Sequence, residues 1–398
     1  MRYFSYLNTA KEIIAGYGGS EPLASFLKKK FAGNKKYGSS DRKWISALCY
    51  NYFRSGKALQ RISLEERILA GFFLTQTSAS PFLQCTKPEW NELAAEPYEE
   101  KARLADIDLT DIFPFFDELS EGVDQPALCI SFLQQPDLFL RIRPGKREQV
   151  IGKLQEGGIK FEIKGNACLA IPNSTRLEDL ITQDEEAVVQ DLNSQKVLDK
   201  VKEQMDKLQL ASGKWQANNI HHPISIWDCC AASGGKSILA YDLLNGNVEL
   251  TVTDIRQRIL QNLDLRFKKA GISAYKSVTA DLVNGDFVPS DLNYQLIICD
   301  APCSGSGTWG RTPEQLYFFN PEMIVGFAKK QKKILSNTTR YLKEGGLFCY
   351  ITCSVFKAEN EEIAGYIQQQ LGLKLISMEL LKGYNDWADT MFTAMFTR

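Results

Sequence analysis

The feature that most constrains the fold is a series of short apolar segments that alternate with helical segments from about residue 186 onward. Four of them are rich in Ile, Val, Leu and Phe, and each ends in polar or small residues: ISIWDCC, ELTVTD, YQLIICD and GLFCYITCS. Buried parallel strands that alternate with helices predict a doubly wound α/β sheet. In such sheets ligands bind beyond the carboxyl ends of the strands. We therefore expect the residues that carry chemistry to meet at one edge of the sheet.

Two other kinds of segment precede this alternating part. Residues 1 to about 125 repeat apolar side chains at three- and four-residue spacing, as in DRKWISALCYNYFR and LEERILAGFFLTQ, which predicts helices. Ser40 and Asp41 are candidates to cap the first of these helices. Residues 138–172 read as strand, Pro-Gly turn, amphipathic helix, Gly-Gly stop, strand, turn and strand. Such a small α/β unit either carries RNA on its sheet or edge, or is a plain linker domain.

The length and composition agree with three domains of an ordinary globular protein. We predict a helical domain over 1–125, a small α/β subdomain over 126–185 and the larger sheet domain over 186–398. The chain has 398 residues, 44% of them apolar and 24% charged, and contains no apolar run long enough to cross a bilayer. The N-terminus has no charged and apolar leader pattern, so we expect a cytoplasmic protein whose ten cysteines are reduced.

Charge is distributed unevenly along the chain despite a net charge of -1. Residues 1–61 contain twelve basic side chains and three acidic ones, whereas the stretch from Leu64 to Gln125 is rich in acids. A basic face suits a polyanionic partner such as nucleic acid. The same pattern also describes a solvated helix face, and charge alone leaves both interpretations open.

A loop typical of nucleotide binding follows the first apolar segment. ISIWD continues into a small-residue turn with Gly234 and Gly235, and a helix starts near Lys236. Such glycines let the backbone approach a ligand, and a helix N-terminus offers free N–H groups. Ala231 stands where a phosphate-binding loop would need its first Gly, and no GxGxxG is present, so a phosphate loop or a dinucleotide is disfavoured.

Two acids extend this pattern toward a nucleoside. Asp254 ends the second apolar segment, where a carboxylate can accept hydrogen bonds from ribose hydroxyls. Asp281 follows SVTA and could orient an adenine amine. One acid at a strand end is more often a turn residue, but the glycines and both acids in this order favour a nucleoside cofactor.

Two cysteines and an acid follow the third and fourth of the quoted segments. LIICD ends at Asp300 and leads to Cys303, and GLFCYIT leads to Cys353. Neighbouring strands would bring both thiols and the acid to one pocket. Two alternatives compete with a catalytic pair: inert core cysteines, and a zinc site formed by Cys299, Cys303, Cys349 and Cys353. Strand alternation points those four side chains in different directions, so we predict no metal.

The motifs together resemble the RsmB/Sun (Fmu) family of S-adenosylmethionine-dependent RNA cytosine-C5 methyltransferases. The resemblance is carried by DCCAASGGKS, TDIRQRILQNLDLRFKKAGI, ICDAPCSGSGTWGRTPE, QKKILSNTTRYLKEGGLFCYITCSVFKAENEE and DTMFTAMFTR, with VVQDLNSQ upstream. It covers about residues 186–398. It implies a Rossmann-like class I methyltransferase sheet, preceded by a small α/β RNA-binding subdomain and an all-α, possibly NusB-like, N-terminal domain.

The resemblance also implies a role for each site residue. Cys353 is implied to be the thiolate that adds to carbon 6 of cytosine, Cys303 to help release the product, and Asp300 to contact the ring near N3. The pocket for S-adenosyl-L-methionine is implied to consist of Cys230, Ala231, Ala232, Ser233, Gly234, Gly235, Lys236, Asp254, Arg258, Asp281 and Asp300.

This chain departs from the family pattern at a few positions. Ser233 stands where Pro is usual, which we expect to loosen the cofactor loop. Gly310 and Arg311 stand where two basic residues are common, and Arg143 where Asn is common, which affects expected RNA contacts more than the chemistry.

Several functions remain open at this stage. The leading one is methylation of RNA, with ribosomal RNA favoured over transfer RNA as partner. A DNA cytosine methyltransferase would instead use Cys303 as its nucleophile. A catalytically silent RNA-binding factor for ribosome assembly is the alternative outside the enzymes.

Overall fold

The computed structural model describes residues 2–34, 36–211, 223–287 and 294–398. Its helices, in chain order, are α1 (Arg2–Ala15), α2 (Leu23–Ala32), α3 (Ser39–Arg54), α4 (Leu64–Thr75), α5 (Pro81–Thr86), α6 (Pro88–Glu92), α7 (Tyr98–Leu104), α8 (Gln125–Phe132), α9 (Arg147–Glu156), α10 (Leu192–Lys196), α11 (Asp199–Ala211), α12 (Gly235–Leu243), α13 (Gln257–Ala270), α14 (Pro313–Phe318), α15 (Glu322–Thr338) and α16 (Glu361–Leu371).

The strands form two sheets. They are β1 (Leu138–Ile142), β2 (Glu162–Ile163), β3 (Cys168–Ile171), β4 (Ala187–Val189), β5 (Ile224–Asp228), β6 (Val248–Asp254), β7 (Tyr275–Thr279), β8 (Tyr294–Asp300), β9 (Leu342–Thr352), β10 (Lys374–Leu381) and β11 (Met391–Thr397). The smaller sheet has the order β2-β3-β1-β4, and the larger one has the order β10-β11-β9-β8-β5-β6-β7.

The larger sheet confirms the predicted doubly wound α/β fold. The four apolar segments of the sequence are β5, β6, β8 and β9, and these strands with β7 run parallel. The remaining strands, β11 and β10, continue the sheet antiparallel beyond β9. The chain builds outward from β5 through β6 and β7, and then returns to place β8 on the other side of β5. The strand order reverses between the paired strands β5 and β8, and the crevice outside their carboxyl ends is the topological switch point where ligands bind in such sheets.

Helices cover both faces of this sheet because each carries an apolar stripe. In α13 the stripe is Leu260, Leu263 and Phe267, and the helix ends at Gly271, whose φ of +74° is the left-handed conformation that glycine tolerates. The helices α11, α12 and α13 pack on one face, and α15 and α16 pack on the other. The result is a three-layer arrangement with the sheet in the middle.

The small α/β unit also has the predicted elements. Strand β1, helix α9 and strands β2 and β3 follow one another as the sequence pattern indicates, and β4 adds an edge strand. Arg141 and Arg143 of this unit both bind Asp242 on α12, with nitrogen–oxygen distances of 2.5 and 2.7 Å. Arg143 also donates to the carbonyls of Asp184 and Ala270. This residue, where the family usually has Asn, therefore binds protein groups in this fold.

The chain divides into two compact units. The first comprises the residues up to Pro136 together with Thr308–Pro321, and the second comprises Asp137–Gly307 with Glu322–Arg398. The three domains expected from the sequence remain a prediction. In the first unit the described residues form helices and loops, as their periodicity indicates.

Two charged residues of the first unit have structural roles. Asp41 accepts a hydrogen bond from the N–H of Gly38, the residue that caps α3, at 2.8 Å. The N-cap residue is therefore Gly38, and Ser40 and Asp41, the expected caps, lie inside the helix; Asp41 supports its start only by accepting this hydrogen bond from the third helical position. Arg54, one of the twelve basic side chains near the N-terminus, is 3% exposed and donates to the carbonyl oxygens of Phe132, Gln134 and Gly310. It therefore does not belong to an exposed basic face.

Across the described ranges, we find no helix that combines the length and the apolar character needed to cross a membrane.

Candidate active site

The loop between β5 and α12 has the tight geometry that its small residues indicate. Ala232 has a φ of +46° and Gly234 a φ of +84°. A Cβ on Gly234 would lie 2.7 Å from a ring carbon of Phe267 and 3.0 Å from Leu263. Glycine is therefore required here both by conformation and by the close packing of α13. Helix α12 begins at the next residue, Gly235, where an added Cβ would meet nothing within 4 Å.

Asp254 holds this loop in place at the end of β6. Its carboxylate accepts a hydrogen bond from the N–H of Ala232 at 3.1 Å, and it also binds the backbone and guanidinium of Arg256 at 2.9 Å. Burial by itself would raise the pKa of Asp254, but the hydrogen bonds from Arg256 outweigh it and lower the pKa. Asp254 is thus an ionised acceptor at the position predicted for a ribose. Arg256, which the sequence analysis did not single out, shares this carboxylate.

Two further residues predicted for the cofactor pocket lie near the same edge. Asp281 follows β7, and its carboxylate accepts hydrogen bonds from the N–H of Val283 and the side chain of Asn284, both at 2.9 Å. This turn-forming role is the ordinary one for such an acid. Arg258 is exposed on the first turn of α13.

Ser233 stands where the family usually has Pro, and a looser loop was expected there. In the structure, hydrogen bonds from one arginine hold this residue. Arg266 of α13 donates to the carbonyl oxygen of Ser233 at 2.9 Å and to its hydroxyl at 3.0 Å. The same guanidinium forms an ion pair with Asp184 at 2.7 Å. Since Arg266 fixes both polar groups of Ser233, the structure gives no sign of the looser loop that we expected.

Lys236 and Asp300 join the cofactor loop to the neighbouring strand. The ammonium nitrogen of Lys236 lies 2.9 Å from Oδ2 of Asp300. Burial by itself would lower the pKa of Lys236, but the charge and hydrogen bond of Asp300 outweigh it and raise the pKa. The nearby Cys353 contributes in the same direction. A protonated lysine at the start of α12 therefore pairs with Asp300 and lies near Cys353.

The structure brings Cys303 and Cys353 into contact. Strands β8 and β9 are parallel neighbours, with Asp300 opposite Ile351, and the two cysteines follow the ends of these strands. Their sulfur atoms are 3.4 Å apart. The hydrogen bond with Cys353, together with burial, raises the pKa of Cys303 well above the ordinary value. Either sulfur can donate in this contact, and the raised pKa of Cys303 favours Cys303 as the protonated partner.

A close backbone approach holds the loop that follows Cys303. The N–H of Gly307 donates to the carbonyl oxygen of Cys353, and the N–H of Thr390 donates to the carbonyl oxygen of Gly307, both at 2.9 Å. A Cβ on Gly307 would lie 2.0 Å from the carbonyl oxygen of Thr390. Only glycine permits these two hydrogen bonds at this spacing.

A buried carboxylate, Glu359, supports the segments on both sides of the cysteine pair. It is 0% exposed and accepts hydrogen bonds from Ser304 and Ser354, which follow Cys303 and Cys353 in the chain. Burial raises the pKa of Glu359 although these hydrogen bonds oppose the shift. The sequence feature that could have indicated Glu359 is its position in FKAENEE, part of a segment that carries the family resemblance.

A second group of thiols lies outside this pair. The sulfur atoms of Cys229, Cys230 and Cys299 all lie within 4.8 Å of one another, a spacing at which they could hold a metal ion. This set differs from the four-cysteine zinc site that the sequence analysis considered and disfavoured. Spacing along the chain does not indicate this cluster, because Cys299 lies on β8 whereas Cys229 and Cys230 follow β5.

The amino-acid sequence of this chain is similar to those of known proteins. Residues 216–390 match the family described as 16S rRNA methyltransferase RsmB/F. A probable ribosomal RNA small subunit methyltransferase B from Synechocystis sp. is 28% identical over 263 residues, which cover 65% of this chain and 55% of that protein. Ribosomal RNA small subunit methyltransferase B from Shewanella oneidensis is 32% identical over 165 residues, or 40% of this chain and 36% of that protein. The chain thus spans about half, or less, of the length of these relatives.

Solved structures of other proteins are similar to this chain in fold. The crystal structure of PH0851 has a TM-score of 0.68 at 16% identity, with 100% of this chain and 98% of that chain covered. The crystal structure of NSun6 from Pyrococcus horikoshii with SFG has a TM-score of 0.54 at 15% identity, with 69% and 94% covered. The Rossmann-like sheet expected from the family resemblance is confirmed by these similarities.

Proposed function

We propose that this chain, whose residues 216–390 match the family described as 16S rRNA methyltransferase RsmB/F, is an S-adenosylmethionine-dependent RNA (cytosine-5-)-methyltransferase. Ribosomal RNA is the proposed substrate, and we propose a cytoplasmic location along with it. The observation that carries the proposal is the 3.4 Å contact between the sulfur atoms of Cys303 and Cys353, which follow the carboxyl ends of β8 and β9. An inert core explanation does not account for the Lys236–Asp300 ion pair beside that contact.

The residues of the loop fit a nucleoside cofactor with a positively charged sulfur. Asp254 supplies an ionised acceptor at the strand end where ribose hydroxyls bind in such sheets. A Cβ on Gly235 would meet nothing within 4 Å, so the backbone at the start of α12 borders open space that a ligand can enter. S-adenosyl-L-methionine supplies an electrophilic methyl group when it is bound there. Cys230, Ala231, Ala232, Ser233, Gly235, Arg258 and Asp281 complete the proposed pocket.

Cys353 is the proposed nucleophile. Its thiolate forms a bond to carbon 6 of the cytosine, and the electron pair of the ring double bond makes carbon 5 nucleophilic. The ammonium of Lys236 lies close enough to Cys353 for the charge of this cysteine to contribute to the raised pKa of Lys236. Lys236 binds Oδ2 of Asp300, which leaves Oδ1 as the oxygen proposed to deliver a proton to ring N3 while the thiolate adds to carbon 6, and to take that proton back on elimination.

Cys303 is proposed to assist the release of the methylated base. After methyl transfer, solvent takes the proton from carbon 5, the ring double bond re-forms and the bond between carbon 6 and sulfur breaks. The departing sulfur of Cys353 then accepts a hydrogen bond from Cys303, which the contact between them keeps protonated. This order of roles favours RNA over DNA methyltransferase chemistry, in which Cys303 would attack.

Single cysteine variants test both the activity and the order of roles. With 16S rRNA and a methyl-labelled cofactor, we expect Cys353→Ala to abolish transfer and Cys303→Ala to accumulate a covalent protein–RNA adduct. Cys349→Ala, which changes a buried cysteine in the same strand, is the matched control and should transfer methyl groups normally. Full activity of Cys353→Ala would contradict the proposal, and an adduct formed by Cys353→Ala alone would reverse the roles.

The choice of RNA is tested separately. Transfer RNA in place of ribosomal RNA should give little transfer, and preferential labelling of transfer RNA would replace the proposed substrate. A protein that binds RNA but transfers no methyl group to either would be the silent ribosome-assembly factor.

A further inference from the structure

Three cysteine side chains that take no part in the proposed methyl transfer meet at the start of the cofactor loop, and one of them, Cys230, also belongs to the proposed cofactor pocket. Cys229 and Cys230 follow the end of β5, and Cys299 precedes the last residue of the neighbouring strand β8. The N–H of Cys229 donates to the carbonyl oxygen of Ile298 at 2.9 Å, which places the end of β5 beside Cys299. All three sulfur atoms lie within 4.8 Å of one another.

We propose that Cys229, Cys230 and Cys299 form a binding site for one thiophilic metal ion of the Cu(I) type, coordinated by three thiolates. The site is separate from the pair formed by Cys303 and Cys353, and it reverses the expectation from the sequence that the chain holds no metal.

The sulfur separations suit trigonal coordination. Three sulfur atoms that each bind one ion at about 2.3 Å in a plane are separated from one another by roughly 4 Å. The separations in the cluster are within 4.8 Å, so that small side-chain rotations bring the three thiols into coordination. The described residues offer this set of three cysteines and no fourth ligand with it. Structural zinc takes four ligands, whereas thiolates select soft ions such as Cu(I), and three sulfurs therefore favour the latter.

Burial and access also suit such an ion. Cys229 is 1% exposed and Cys299 is 0% exposed, and both pack among apolar side chains that include Trp227 and Ile297. Cys230 is partly exposed and gives the ion a path from solvent. On binding, each coordinating thiol loses one proton to solvent and forms one bond to the ion. Copper and sulfur keep their oxidation states, so no oxidant or reductant is consumed.

An ion in this site would act on the cofactor loop. Cys229 and Cys230 are the first two residues of that loop, and coordination would tie them to β8 through Cys299. If the proposed function holds, we expect the bound ion to reduce methyl transfer by restricting the loop. The binding site itself does not depend on that function, because occupancy is measured without catalysis.

Metal titration of the purified full chain tests the site. Cu(I) is added anaerobically as its acetonitrile complex in competition with bathocuproine disulfonate, and X-ray absorption counts the sulfur neighbours of copper. The test variant is Cys229→Ala combined with Cys299→Ala. Cys349→Ala is the matched control for loss of a buried strand cysteine, and Cys303→Ser with Cys353→Ser controls for the other thiol pair.

We expect one tightly bound Cu(I) with three sulfur neighbours in the unchanged chain and in both controls. The cluster variant should bind at least about 100-fold more weakly. Equal affinity of the cluster variant, or loss of binding only in the Cys303 and Cys353 control, would overturn the proposal. If the cluster variant does not fold, Cys299→Val, which keeps the strand apolar, replaces it. That variant should lose the three-sulfur signature, and retention of three sulfur neighbours would count against the site.

Discussion

The hydroxyl and the backbone N–H of Ser304 both donate hydrogen bonds to the carboxylate of Glu359, at 2.6 and 2.9 Å. The hydroxyl of Ser354 donates to Oε2 of the same carboxylate at 2.5 Å. Because Ser304 follows Cys303 and Ser354 follows Cys353, one buried carboxylate connects the segments that carry both thiols. We infer that Glu359 positions the cysteine pair without touching the substrate.

Glu359→Gln should therefore impair the rate more than binding. The amide nitrogen of Gln cannot accept a hydrogen bond, so at least one donor loses its partner at a cost of about 2 kcal/mol. If this cost falls on the transition state, kcat decreases roughly 30-fold. Steady-state methyl transfer should show this decrease with the KM for the cofactor unchanged.

Glu362→Gln, an exposed change on α16, is the control for the Glu359 variant and should leave both constants unaltered. An unchanged kcat in Glu359→Gln would show that the carboxylate does not position the pair.

Gly307→Ala should disrupt the site through steric overlap. The added Cβ would lie 2.0 Å from the carbonyl oxygen of Thr390, so that the backbone must move and break the hydrogen bond to Cys353. We expect loss of methyl transfer and a destabilisation of about 1–3 kcal/mol, measured by urea unfolding. Gly326→Ala on α15 is the matched control, because its Cβ meets nothing within 4 Å, and it should stabilise the chain by about 0.5–1 kcal/mol. Equal effects of both substitutions would contradict this explanation.

Asp242→Asn should cost substantial stability. Its carboxylate is 5% exposed and binds both Arg141 and Arg143, so neutralising it leaves two guanidinium groups without their counter-charge. Breaking a buried ion pair in this way costs about 3–5 kcal/mol. Chemical denaturation should show this loss, whereas Glu249→Gln, an exposed change on β6, should shift the unfolding free energy little. A loss below about 1 kcal/mol, typical of exposed pairs, would mean that the interaction is weakly coupled to folding.

The stability of the first unit should depend on pH through Asp41. Hydrogen bonds from Tyr6, from Arg2 and from the N–H of Gly38 lower the pKa of Asp41 from its ordinary 3.8 to about 2. The folded state therefore binds this proton less readily than the unfolded state. The stabilisation that ionised Asp41 gives to the folded state is complete at pH values above its ordinary pKa, and it is lost as the pH falls from 4 through 2.

Thermal unfolding at several pH values checks the role of Asp41. The difference in midpoint between the unchanged chain and Asp41→Asn should be constant near neutral pH and shrink between pH 4 and pH 2. A difference that does not change over this range would assign the effect to packing instead of charge.

The sequence by itself determined the local elements and the identity of the reacting groups. Apolar runs such as LIICD predict buried strands because both faces must be covered, and the periodicity of SSDRKWISALCYNYFR predicts the helix that the structure has as α3. Patterns of this kind depend on neighbouring residues alone. They also led to Asp300, Cys303 and Cys353, whose roles remain a proposal.

Tertiary structure alone decided which distant side chains meet. Spacing along the chain does not predict these contacts. They include the pairs Lys236 with Asp300, Arg143 with Asp242, and Arg266 with Ser233. The order of strands in the sheet also decides that Cys299 lies beside Cys229 and Cys230 instead of forming the zinc set considered from the sequence. Alternation along a strand fixes the face on which a side chain lies, but the partner across that face depends on which strand the fold places next to it.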